Sequence, residues 1–316
     1  MNRINYTQDA VQKYEALSKK LTEAMMAALK SAHSAAAPGS MDPEDLNRQR
    51  IGQDVLGRLI TPLIGFGWEP FTQDDIPMAW VRPERSHDKR RAILYCHGGG
   101  YTSGNLGYAR VLAAKLASAT GYEVLSFQYR LSPEYPYPAA LKDARATWDF
   151  LMRQGWGARD IILAGDSAGG NLALELILSL REEKRFLPGR LLLFSPWTDM
   201  TASGPSYQEC EKTDPILTSD YIHAVRSAYA PDADWSLPCF SPIMGDLTGF
   251  PPTLIQVGER EILRSDSVRL LESLSKAGVP CVLEQWPEMW HVFQMFPIKT
   301  AGEALVHVAA FLQQLD

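Results

Sequence analysis

A chain of 316 residues, 46% hydrophobic and 22% charged, is sized for one large domain with an appendage and can build a substantial core. A formal charge of −6 argues against nucleic acid as a partner, and the short basic run Lys89-Arg90-Arg91 reads as a solvated loop. The four cysteines lack metal-ligand spacing, residues 1–9 lack the apolar core of a signal peptide, and no stretch is long and apolar enough to span a bilayer. The expectation is a cytoplasmic, soluble protein with no metal, no cofactor and no membrane partner.

In chain order, residues 8–33 show helical periodicity, the segment 34–40 (Ser-Ala-Ala-Ala-Pro-Gly-Ser) interrupts it, and a second helix is expected over 43–60. Strand and helix patterns then alternate. Strands are expected near 77–82, 91–96, 122–128, 160–165, 190–195, 253–258 and 281–286, and helices near 107–119, 138–153, 169–184, 265–277 and 300–314. This predicts an α/β fold, a mostly parallel central sheet flanked by helices. The stretch 199–248 is too long for a connection and carries a helical piece at 219–229, so it reads as a lid or binding surface.

Two glycine motifs fall at strand ends. The run 92–96 leads into His97-Gly98-Gly99-Gly100, where successive glycines let the backbone approach a substrate carbonyl and adopt positive φ. The run 161–164 leads into Gly165-Asp166-Ser167-Ala168-Gly169 and then a helix pattern, the strand–turn–helix setting in which G-x-S-x-G exposes a nucleophilic serine. Ser167 is therefore the candidate nucleophile. The N–H groups of Gly99, Gly100 and Ala168 are the candidate oxyanion hole, the last lying at a helix N-terminus.

In this arrangement acid and base follow the nucleophile along the chain. Of the six histidines, only His291 and His307 lie far enough downstream, and His307 sits inside a helical pattern. His291 follows the strand 281–286 in a loop, where α/β sheets place their chemistry, and is the candidate base. For the acid, Glu261 lies just past the strand 253–258 and is preferred. Asp266 reads as a helix-start carboxylate and stays in reserve, and Glu259 reads as a solvated loop charge.

From about residue 90 to its end the chain resembles the hormone-sensitive-lipase-like carboxylesterases of the α/β-hydrolase superfamily. The resemblance rests on H-G-G-G at 97–100 and G-D-S-A-G-G at 165–170. It also rests on Tyr129-Arg130-Leu131-Ser132-Pro133-Glu134 with Pro138-Ala139-Ala140-Leu141 and Asp143, and on Ser195-Pro196-Trp197-Thr198-Asp199. Two positions depart from that pattern: Glu261-Ile262-Leu263 stands where D-P-L is usual, which implies a glutamate in the triad, and Val292 follows His291 where glycine is common.

The resemblance implies a serine esterase acting on small, short-acyl carboxylic esters, acetyl esters or lactones among them. An amidase with the same triad and a non-catalytic receptor on the same scaffold are the alternatives. It further implies a helical cap over Ser167, built from residues 1–60 and 199–248, with the hydrolase core in 61–198 and 249–316. Trp197, Tyr207, Tyr221, Tyr229 and Trp235 are aromatic candidates for an acyl pocket, although core or cap packing explains most such residues. Homodimerisation stays open.

Overall fold

The apolar runs pair into one sheet of 8 strands in the order β1-β2-β4-β3-β5-β6-β7-β8. The strands are β1 (Phe66–Gln73), β2 (Ile76–Pro83), β3 (Ala92–Cys96), β4 (Glu123–Phe127), β5 (Ile161–Asp166), β6 (Arg190–Phe194), β7 (Thr253–Gly258) and β8 (Cys281–Trp286). The helices are α1 (Gln8–Ser34), α2 (Pro43–Ile60), α3 (Leu106–Thr120), α4 (Ala139–Arg153), α5 (Ala168–Glu182), α6 (Ser206–Glu209), α7 (Ser219–Tyr229), α8 (Arg264–Lys276) and α9 (Lys299–Gln313). The structure, a computed structural model, describes residues 8–34, 42–60, 65–84, 87 and 89–313. Of the break expected at 34–40, Ser34 instead ends α1, and the rest of it, the extreme N-terminus and the boundary placed at 61 lie outside the described residues.

β2 runs antiparallel to β1 and β4, and every pairing from β4 through β8 is parallel. Strands β3, β4, β5 and β7 are buried along their whole length. They are largely apolar, interrupted by Ser126 in β4 and Gln256 in β7, because helices cover both faces of a parallel sheet. β8, at the edge, is only partly buried. β1 was not expected from the sequence: Gly67 and Pro70 interrupt its pattern, and both are tolerated because β1 is the opposite edge strand.

Parallel register puts the strand ends that matter side by side. Cys96 pairs with Gly165, Asp166 with Phe194, Phe194 with Gln256, and Gly258 with Trp286. The residues that follow these ends emerge along one edge of the sheet. Residues 199–248 add no strand; they carry α6, α7 and a short 3-10 turn at Pro242–Met244.

Candidate active site

Ser167 occupies the turn between β5 and α5 with φ 53° and ψ −123°, a region that non-glycine residues rarely enter. The turn is fixed on both sides, since Ser167 N donates to Phe194 O at 3.0 Å and Ser167 O accepts from Trp197 N at 3.1 Å. Its glycines serve close packing. A Cβ at Gly165 would lie 2.2 Å from Gly169 O, and one at Gly169 would lie 2.1 Å from Cys96 O. Strand and helix could not approach this closely with any side chain there.

His291 lies in the loop after β8, and its Nδ1 is 2.7 Å from Glu261 Oε2. Glu261 is fully buried, and its Oε1 accepts from Ser195 Oγ at 2.7 Å and from Gly258 N at 2.6 Å. Ser195 Oγ in turn accepts from Val292 N at 3.0 Å, so one hydroxyl fixes both Glu261 and the residue after His291. In the sequence, Ser195 is marked only as the first residue of the segment Ser195–Asp199. Both Ser195 and Val292 sit at φ 48°, the left-handed region, which is unusual for a β-branched residue such as Val292. From α3, Lys115 Nζ donates to Gln294 O at 2.7 Å and Phe296 O at 2.6 Å, tethering the loop that carries His291.

Burial pulls the His291 pKa down, but the hydrogen bond and charge of Glu261, aided by Asp214 and Asp166, outweigh it and leave the pKa above its ordinary value. Asp214, nearly buried, accepts from Ile216 N, Leu217 N and Ile262 N at 2.9 Å each, bracing the segment next to Glu261. Asp266 is engaged elsewhere. Its Oδ2 accepts from Thr198 N at 2.8 Å and Asp199 N at 3.0 Å, and burial pushes its pKa up to about 8. The histidine's carboxylate partner is Glu261, and Asp266 shapes the neighbouring loop. His307 is half exposed on α9 and pairs with Glu284 Oε1 at 2.8 Å.

The glycine loop after β3 is held by its carbonyls. Gly98 N donates to Asp166 Oδ1 at 2.8 Å, and the same carboxylate accepts from Tyr95 and Tyr108 hydroxyls. A Cβ at Gly98 would meet Asp166 Oδ2 at 2.3 Å. Gly98 O is 2.8 Å from His97 Nδ1. His97 is fully buried and stacked on Tyr129 at 4.2 Å. Burial pulls its pKa down to about 4, so it is neutral, and the carbonyl acceptor assigns its proton to Nδ1. Gly99 O accepts from Thr102 N at 3.1 Å and from Ser103 N and Oγ at 2.9 Å each. In a trans peptide the N–H points opposite to the C=O. Pinning Gly98 O and Gly99 O therefore fixes the direction of the Gly99 and Gly100 N–H groups. Ala168 N–H, first in α5, has no partner within its own helix.

Ser167, His291, Gly99 and Gly100 line one cavity of about 60 Å³. Its remaining wall is mostly apolar: Met25 and Leu29 from α1, Gly57 and the polar Gln53 from α2, Tyr108 and Val111 from α3, Ile216 and Leu217 from 199–248, and Val292, Met295 and Phe296 after the histidine. Of the five aromatic candidates only Tyr221 reaches it. Trp197 is buried, Tyr229 stacks on Tyr101 at 3.7 Å, and Trp235 lies under the Arg226 guanidinium at 3.9 Å. The motif at 129–143 supports the loop from behind, with Tyr129 OH donating to His97 O at 2.8 Å and Arg130 paired with Asp143 at 2.7 Å. Among the described residues, no cluster of His, Cys, Asp or Glu could hold a metal, and no helix is long and apolar enough to cross a membrane.

Comparison with known proteins agrees with this architecture. The profile of the alpha/beta hydrolase fold family matches residues 93–295. An acetyl-hydrolase of Streptomyces hygroscopicus is 36% identical over 277 residues, 87% of this chain and 90% of that protein. An esterase of Acinetobacter venetianus is 37% identical over 247 residues, 76% of this chain and 82% of that protein. The crystal structure of an esterase from the bacterial hormone-sensitive lipase family superposes with a TM-score of 0.85 at 30% identity, covering 93% of this chain and 98% of the other. The chain belongs to the α/β-hydrolase family and, within it, to the hormone-sensitive-lipase-like carboxylic ester hydrolases.

Proposed function

We propose that this esterase hydrolyses small, short-acyl carboxylic esters, acetyl esters foremost, through a Ser167–His291–Glu261 triad and an acyl-enzyme. The observation that carries the reading is the buried Glu261–His291 pair at 2.7 Å, with His291 on the same cavity wall as Ser167 and the glycine loop. In this reading Glu261 accepts the His291 Nδ1 proton and leaves Nε2 free to act as base. Ser167 Oγ attacks the ester carbonyl as His291 takes its proton, and the Gly99, Gly100 and Ala168 N–H groups receive the oxyanion. The tetrahedral intermediate collapses, the alcohol leaves with the proton from His291, and water repeats the sequence to release the acid. The short-acyl preference is supported by the narrow, apolar cavity and by likeness to an acetyl-hydrolase.

We also propose that α1, α2 and residues 199–248 together form the cap, since all three contribute side chains to the wall around Ser167. Initial rates on p-nitrophenyl esters of graded acyl length, with Ser167→Ala beside the wild type, test the catalytic reading. Rates should peak at the shortest chains, and the variant should lose roughly 10³-fold or more in kcat. A peak at long chains would overturn the substrate class, and an active Ser167→Ala would overturn the mechanism.

A further inference from the structure

The glycines that let the backbone enter an oxyanion hole also make it easy to rotate out. With no Cβ at Gly99 or Gly100, the peptide between them meets little steric resistance to a flip. A flip would replace the Gly100 N–H by the Gly99 carbonyl, exchanging a donor for an acceptor. The orientation seen therefore depends on what holds Gly99 O, and that is the Thr102–Ser103 turn with its Ser103 hydroxyl.

This turn is gripped from α2, far away in sequence. Gln53, only 7% exposed, donates from Nε2 to Ser103 Oγ at 3.2 Å and accepts at Oε1 from Gly104 N at 2.7 Å. A continuous chain thus runs from the Gln53 amide through Ser103 Oγ to Gly99 O. Three residues earlier on the same helix, Arg50 donates to Thr102 O at 2.8 Å and Ser132 O at 3.0 Å, and pairs through both terminal nitrogens with Glu134. The close approach of α2 is built in: a Cβ on Gly57 would lie 2.0 Å from Gly107 O, and one on Gly107 would lie 2.2 Å from the Asp54 carboxylate.

We infer that Gln53 is a positioning residue for the oxyanion hole, its side-chain amide locking the Gly99–Gly100 peptide with the N–H toward the reacting carbonyl. The inference rests on the proposed serine-esterase mechanism. It makes α2 more than a wall of the cavity: seating the helix completes the hole. Gln53 also lines the cavity, but both ends of its amide are spent on Ser103 Oγ and Gly104 N, so loss of the chain through Ser103 falls mainly on the transition state, where the oxyanion exists.

The test compares Gln53→Ala, Ser103→Ala and the double variant with wild type and Ser167→Ala. The readouts are kcat and KM on p-nitrophenyl acetate, and the Ki of 1,1,1-trifluoro-2-butanone. With that ketone, Ser167 Oγ bonds to the carbonyl carbon, its proton passes to His291, and the carbonyl π pair becomes an oxyanion.

Gln53→Ala is expected to lower kcat by about 10- to 100-fold and to weaken the ketone by a similar factor, with KM changed by less than about 3-fold, below the loss from deleting a hole donor outright. Because Gln53 and Ser103 act through one chain, the double variant should fall well short of the product of the single losses. A kcat within about 3-fold of wild type, a loss confined to KM with the ketone Ki unchanged, or fully multiplying effects would each overturn the inference, since all three lie outside transition-state positioning. Ser103→Ala keeps the test open if Gln53→Ala unseats α2, because it cuts the same chain while leaving the Gln53–Gly104 and Arg50–Thr102 bonds that seat that helix. Turnover that survives Ser167→Ala would instead sink the underlying mechanism, which keeps the two failures apart.

Discussion

The two halves of this active site are held by different means. The proposed nucleophile, acid and base, Ser167, Glu261 and His291, follow the ends of β5, β7 and β8, strands locked in parallel register, with Ser195 after β6 tying Glu261 to the residue after His291. The glycine loop follows β3 but has no such frame. Its carbonyls and N–H groups are pinned by Asp166, His97 and Ser103, and Ser103 is gripped by Gln53 from the second helix. The triad side is a property of the sheet, while the oxyanion side is assembled from remote side chains. Damage to the first should abolish chemistry, and damage to the second should grade it.

The largest effects fall on the sheet side. Ser167→Ala or His291→Ala should lower kcat by roughly 10³-fold or more, and Glu261→Gln by somewhat less, as steady-state kinetics would show. Asp266→Asn sharpens the contrast, because its carbonyl oxygen can still accept from Thr198 and Asp199 while no contact to the histidine is lost. Activity should stay near wild type. A dead Asp266→Asn beside an active Glu261→Gln would reassign the acid.

Next comes the cap. A chain lacking residues 1–40 loses Met25 and Leu29 from the cavity wall and should lose most of its activity while keeping the circular dichroism of the sheet. Full activity in that truncation would remove α1 from the cap.

A smaller, pH-dependent effect follows from the His291–Glu261 pair. The base must be neutral to act, and its pKa is held above the ordinary 6.5, so kcat/KM should rise with pH through a value above 6.5. Glu261→Gln removes the charge that raises that pKa, and the acid limb should move to lower pH even as the rate falls. An unmoved limb would uncouple the pair. Asp266 gives the opposite pH lever on stability. Its folded pKa is raised from 3.8 to about 8, so the native state binds the extra proton and stability falls as pH rises across that window. Asp266→Asn should flatten that fall in thermal denaturation.

The smallest effect is expected at Val292. Glycine there relieves a β-branched residue at positive φ, worth on the order of 1–2 kcal/mol, but gives up a buried side chain of similar value. The melting temperature should therefore move by only a few degrees. Because Val292 lines the cavity, the acyl-length profile of Val292→Gly should extend to longer chains. An unchanged profile would take Val292 off the list of groups that limit the substrate.

What could be read from the sequence follows the same division. Ser167 and the glycine runs stand out because backbone conformation and close packing dictate their residue types locally. His291 and Glu261 stand out because loops after parallel strands are few. The alternation of strand and helix yields the sheet, apart from β1, whose glycine and proline disguise an edge strand. The supports are a different matter. Gln53 looks like any polar residue in an amphipathic helix, and it meets Ser103 across 50 positions of chain. Asp166 and Tyr129 stand inside motifs, but nothing in the sequence says that Asp166 will hold Gly98 N or that Tyr129 will stack on His97. Long-range pairing leaves no local signature. Aromatic content misleads for the same reason, since four of the five candidate pocket aromatics are outside the cavity lining.

Covalent labelling with a fluorophosphonate, mapped by mass spectrometry of the digested protein, addresses the catalytic site most directly. One phosphonyl group on the peptide carrying Ser167, in step with loss of esterase activity and slowed in Glu261→Gln, is the expected result. Inactivation with the label on another residue, or full activity after Ser167 is labelled, would contradict the assignment of Ser167 as the nucleophile.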